Sequence, residues 1–144
     1  MVRQGWKPLF QQERPLFGYV MDETDYWHEH STPERYFQAN RNLFTHNLLK
    51  RLPAPFMDHT PEEVTLSSEA MTLTGDRCHF GEGVTLRDMV ILGDEVAIHD
   101  GVTLSNCVVW PRSTVHESHE NAIITPGGVL PVTMDAAEGF TGPA

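Results

Sequence analysis

Residues 74–110 read TGDRCHFGEGVTLRDMVILGDEVAIHDGVTLSNCVVW, and a period of six runs through them. Every sixth residue from Thr74 gives Thr74, Phe80, Leu86, Leu92, Ile98, Leu104 and Trp110. Four residues into each hexad sit Cys78, Val84, Val90, Val96, Val102, Val108 and Thr114. Random sequence rarely keeps two such columns in register for seven hexads. Six is not a helical period. It fits a coil of very short strands, each sending apolar residues inward and then turning.

The other positions agree. Gly follows the leading residue of a hexad at 75, 81 and 93, and recurs at 83 and 101, where tight corners need a permissive backbone. The third position reads Asp76, Glu82, Asp88, Asp94, Asp100, Asn106 and Arg112, polar groups that belong at solvated turns. A longer period is also visible. Asp88-Met89-Val90-Ile91-Leu92, Asn106-Cys107-Val108-Val109-Trp110 and Asn121-Ala122-Ile123-Ile124-Thr125 start 18 and then 15 residues apart. Three hexads per coil stack these segments on one side of a triangular prism, with coils about 4.8 Å apart. The repeat region is bounded at 64–130, with a tail at 131–144.

Upstream, residues 31–52 predict a helix. Thr32 suits the N-cap and Pro33 the first helical position, and Ser31-Thr32-Pro33-Glu34 also fits a capping box. Tyr36, Ala39, Leu43, Phe44 and Leu48 make one apolar face, and Pro53 and Pro55 end the helix. Residues 53–63 are a Pro-containing linker. In residues 1–30 the runs Pro15–Val20 and Tyr26-Trp27 predict two strand-like pieces, a hairpin-like arm around the acidic turn Asp22–Asp25. Such strands need a partner for their backbone. The fold class is therefore mainly β: a hexad β-helix preceded by a short arm and one α-helix.

Composition limits the partners. The 144 residues carry 10 Lys+Arg against 20 Asp+Glu, a formal charge of −10. No Lys follows Lys50, and from Gly75 onward three Arg face ten acids. That balance argues against nucleic acid or an anionic membrane as partner. No stretch approaches a membrane span and the first residues lack an apolar signal core, so a cytoplasmic protein is expected. Two cysteines, Cys78 and Cys107, make neither a disulfide framework nor a zinc site, and their places in the repeat suggest packing groups.

These features together resemble a known family. The hexads are similar to the left-handed parallel β-helix of hexapeptide-repeat proteins, and the left hand is implied by that resemblance alone, since parallel crossovers generally favour the right. Gly5-Trp6-Lys7-Pro8-Leu9, Pro15–Val20 and Tyr26-Trp27-His28-Glu29-His30-Ser31-Thr32-Pro33-Glu34-Arg35-Tyr36 resemble the end of the catalytic domain of nucleotide-sugar pyrophosphorylases. The nearest type is the mannose-1-phosphate guanylyltransferase and glucose-1-phosphate nucleotidyltransferase group. The likeness covers about residues 5–130 and implies that 1–52 is a remnant of a catalytic domain's end.

What the resemblance implies for chemistry is limited by what is missing. The family's nucleotide-binding half, with its Gly-rich loop before a helix, has no counterpart here. Glu29 stands where the family has a metal-binding Asp, which makes it the one metal-ligand candidate; a surface carboxylate near a helix N-terminus is the alternative. No catalytic residue is assigned, and the Mg²⁺ of the full-length family is not expected to be bound by this chain alone. The implied role is an assembly or regulatory β-helix module, joined to a second copy or to a larger nucleotidyltransferase chain. Two enzyme readings stand beside it. One is a hexapeptide acyltransferase with His79, His99, His116 or His119 as general base between subunits. The other is one subunit of a split nucleotidyltransferase. The corner acids around Asp76 and Asp94 fit either a hydrated turn or a cation between coils.

Overall fold

The computed structural model describes residues 6–12, 15, 17, 18, 20–22, 25–46, 48, 60–62, 64–68 and 70–133. Leu16, Tyr19, Glu23, Pro53, Pro55, most of the linker and the tail from 134 onward lie outside the described residues.

The hexads form a parallel β-helix of about three turns. Its strands are β1 (Thr65–Leu66), β2 (Met71–Thr74), β3 (His79–Phe80), β4 (Thr85–Leu92), β5 (Ala97–Ile98), β6 (Thr103–Val109), β7 (Thr114–Val115), β8 (His119–Thr125) and β9 (Gly128–Pro131). Strands β1, β4, β6 and β8 stack in parallel, β2 joins β4, and β3, β5 and β7 make the short face. The long strands turn a corner at Asp88, Asn106 and Asn121, whose φ values of 55°, 50° and 51° suit short polar side chains better than branched ones. Inside, Val84, Leu86, Val90, Leu92, Val96, Ile98, Val102 and Leu104 form the core that the columns predict. Coils touch closely at Gly93, where a Cβ would lie 2.6 Å from Pro111 N, so no larger residue fits without moving backbone.

The predicted columns fail after Asn106. Two residues, Asp88 and Met89, lie between the paired positions Arg87 and Val90, whereas Asn106 alone separates Ser105 from Cys107. The coil is thereby one residue shorter, and Val90 pairs with Cys107, Leu92 with Val109 and Ala97 with Thr114. Val109 takes the inward place expected of Trp110, which is 45% exposed. Ser113 takes the place of Val96, buried, with its hydroxyl finding no hydrogen-bond partner. A buried unmatched hydroxyl carries a desolvation cost that no bond offsets. Ser113→Ala is therefore expected to stabilise the fold by about 1 kcal/mol, read as a shift in denaturation midpoint at unchanged slope.

A second cluster lies outside the prism. Side chains alternate along the long strands, so Ile91, Val108 and Ile123 point away from the core. Helix α2 (Pro33–Thr45) covers that row, Phe37 packing with Met89, Val108, Ile123 and Val132. This explains why the three long segments are apolar at successive positions: both of their faces are covered. Thr32 is the N-cap, accepting from Arg35 N at 3.3 Å, and Pro33 is the first helical residue. The helical period predicts a face through Tyr36, Ala39, Leu43, Phe44 and Leu48. Its buried centre is Phe37, with Ala39 and Asn42, and Tyr36 and Phe44 flank it.

The arm corrects the sequence reading. The expected strands at Pro15–Val20 and Tyr26-Trp27 are absent from its described residues, Leu16 and Tyr19 lying outside them, and Trp6–Gln11 upstream form a short helix, α1. The acidic turn is present: Asp25 N donates to Asp22 O and Asp22 N to Asp25 Oδ2, both at 3.1 Å. Without a sheet to join, Phe17, Val20 and Trp27 stand 91%, 89% and 65% exposed. Among the described residues no helix is long and apolar enough to cross a membrane.

At the far end the chain reverses, and β9 pairs antiparallel with β8. Strand β9 thus runs past the expected boundary at 130, and Val132 is buried. Val132 N donates to Asn121 O at 2.7 Å, so alternate residues of β9 bond to β8 and Pro131 turns its nitrogen toward the free edge.

Candidate functional site

The approach to α2 is the most elaborated polar region of the arm. Residues 26–30 belong to no helix or strand, and the rings of Tyr26, His28 and His30 follow one another at a spacing of two. Tyr26 stacks on His28 with centroids 6.4 Å apart, His28 meets His30 at 5.7 Å, and His30 meets Tyr36 of α2 at 6.1 Å. The run continues from Tyr36 to Trp110 of the coil at 6.3 Å, and back from Tyr26 to His46 at 5.9 Å. Asn42 Nδ2 donates to the Tyr26 hydroxyl at 2.9 Å, which satisfies a buried amide. Burial pushes the His28 imidazole below its ordinary value, and nearby His30 and Arg35 add to that. These rings fasten the arm to helix and coil. The alternation of aromatic and polar residues that predicts a strand in the sequence thus serves ring contacts along the arm.

Glu29, the metal-ligand candidate, is engaged with the first turn of α2. Its carboxylate pairs with the Arg35 guanidinium, and both side chains are about half exposed. Its carbonyl oxygen lies 2.9 Å from His28 Nδ1. An exposed pair of this kind contributes at most about 1 kcal/mol. Among the described residues there is no group of three or more His, Cys, Asp and Glu that could hold a metal ion.

On the coil, the candidate histidines divide. His119 follows Leu86 and Leu104 in register, because Leu104 pairs with it. It borders a shallow depression of about 500 Å³ with Arg87, Asp88, Thr103, Ser105, Ser118 and Glu120. Much of that polar surface is internally matched. The Ser105 hydroxyl donates to Asp88 Oδ2 at 2.6 Å, and Thr103 N donates to Ser118 Oγ at 2.9 Å. Arg87 is the one fixed cation there, facing two carboxylates, a poor setting for the phosphates of coenzyme A. His79 is exposed on β3. His99 and His116 lie side by side with ring centroids 4.2 Å apart.

The corner acids have a structural task. Asp94 Oδ1 accepts from Asp76 N at 2.9 Å and Asp100 Oδ1 from Glu82 N at 2.8 Å, so each ties its own coil to the one before. Exposed Arg77 and Glu95 pair across the same coils at 2.6 Å. Neither cysteine is suited to nucleophilic work. Cys107 is fully buried, which pushes its thiol up to about 11, and burial also raises that of Cys78. The chain matches no protein-family model, no curated protein and no solved structure.

Proposed function

We propose that this chain is the β-helix assembly module of a sugar-phosphate nucleotidyltransferase of the mannose-1-phosphate guanylyltransferase and glucose-1-phosphate nucleotidyltransferase type, acting in the cytoplasm and transferring no nucleotide by itself. The observation that carries this reading is the seating of α2. The Thr32–Tyr36 segment, which bears the resemblance, opens a helix that packs through Phe37 on the outer row of the coil. Helix and coil thus form one platform. The arm on that platform leaves Phe17, Val20 and Trp27 open to a partner, the kind of uncovered apolar surface that marks an interface. The partner is a second copy or a larger nucleotidyltransferase chain, and the nucleotide-binding half and its Mg²⁺ belong to the larger chain.

The purified chain is expected to form no nucleotide sugar from a sugar 1-phosphate, any NTP and Mg²⁺. Phosphoryl transfer relies on groups that hold the triphosphate and stabilise its charge, and the described residues assemble no such cradle. In light scattering over a concentration series it should associate, with closed dimer or trimer symmetry. Turnover abolished by Glu29→Ala would replace this reading with the split enzyme. A monomer at every concentration that also fails to bind a full-length nucleotidyltransferase of this type would remove the assembly role.

A further inference from the structure

Coil stacking brings together one pair of side chains that the assembly role does not use. His99 follows β5 and His116 follows β7, and the pairing of Ile98 with Val115 sets them one coil apart at the same corner. Their rings are exposed, 4.2 Å apart between centroids and tilted by 46°. The backbone beneath is fixed, since His99 N donates to Val115 O at 2.9 Å and Ala97 N to Ser113 O at 3.0 Å. Two Zn–N bonds of about 2.1 Å reach across as much as ~4 Å between nitrogens. Rings at this separation therefore present one nitrogen each to a shared ion after small rotations of exposed side chains. The other close histidine pair among the described residues is less suited, since His28 and His30 meet edge-on at 5.7 Å and His28 Nδ1 already faces the Glu29 carbonyl.

We infer that His99 and His116 form a two-imidazole site for a divalent transition-metal ion, Zn²⁺ being the reference case. Imidazole suits Zn²⁺, Ni²⁺ and Cu²⁺, whereas Mg²⁺ and Ca²⁺ favour oxygen donors. The net charge of −10, with Asp100 and Glu117 next in sequence to the two ligands, favours a cation at this corner. Asp100 Oδ1 is engaged with Glu82 N, so the inner ligands are the two rings. The remaining coordination positions are open to water or a small anion. This site is independent of the nucleotidyltransferase reading and stands or falls separately.

Isothermal titration of the full chain with zinc chloride, in a buffer that does not chelate, tests it. Binding of about one ion per chain is expected, as one tetrahedral site would take it. His99→Gln and His116→Gln should each weaken it roughly tenfold or more, the scale of losing a ligand or its support. His79→Gln, one row away, should leave it unchanged. Because both rings are exposed, each variant should keep the parent's melting temperature without metal, which separates lost ligation from lost fold. Acidification should weaken binding, since the ligands must be neutral, and imidazole resonances of both residues should respond together to Zn²⁺. Equal affinity in parent and in both variants would overturn the site, as would an equal loss in His79→Gln.

Discussion

Leu92→Asp is expected to destabilise the coil by roughly 4 kcal/mol or more, the range reached when an unpaired carboxylate enters an apolar core. Leu92 is 2% exposed, between Thr74 of the preceding coil and Val109 of the next. The new carboxyl would face Val109 on one side and, on the other, only the Thr74 hydroxyl, which is already engaged with Thr60 Oγ1 at 2.6 Å. Burial disfavours its charged form, so its folded-state pKa would lie above the unfolded value of about 3.9. The penalty should therefore be smallest at acid pH, where the group is neutral in both states, and grow as pH rises toward the folded-state pKa. Chemical denaturation at neutral and acid pH measures both effects. A variant that melts like the parent at neutral pH would contradict the register assigned to the inward column.

Phe37→Ala should cost about 3–5 kcal/mol, the usual range for emptying a buried phenylalanine site, but with a different distribution. Phe37 is 1% exposed at the centre of the outer cluster, against Met89, Val108, Ile123 and Val132. Inside the prism nothing depends on it. The amides of α2 should lose hydrogen-exchange protection, while those of β4 and β6, bonded coil to coil, keep theirs. Uniform loss in both would mean that helix and coil unfold as one unit. Protection of α2 equal to the parent's would mean that its hold lies elsewhere, for instance in the Tyr26–Asn42 contact.

The coil was legible because its code is periodic and every hexad repeats the same demand. Leu86, Val90, Val96, Ile98, Val102 and Leu104 are all buried as their spacing requires. The slip at Asn106 was not legible, because Val108 and Val109 are both apolar and either satisfies a column by type. Asp88, Asn106 and Asn121 share the same left-handed corner, so what marks the slip is the pairing of Val90 with Cys107 and the burial of Ser113 in place of Val96. In α2 the period was read correctly but centred on the wrong residue, since Tyr36 and Phe37 are adjacent aromatics. The arm misled most. A six-residue helix such as α1 is too short to display a period, and among the described residues no sheet takes up the runs at 15–20 and 26–27. Glu29 could be picked by resemblance, but its engagement with Arg35, one turn into the following helix, depends on geometry that linear spacing does not carry.

A stack of parallel coils is by nature a template: its last rung offers a ladder that an identical rung can copy, which is how fibrils lengthen. Here the chain doubles back instead, and β9 presents the next molecule with a strand of opposite direction and with a proline nitrogen facing outward. Such a terminus gives an incoming parallel coil the wrong polarity and one donor too few. Growth along the axis is thus blocked at that end. At that edge Pro131 sets the stop, which favours contacts through the sides of the coil over stacking of rung on rung.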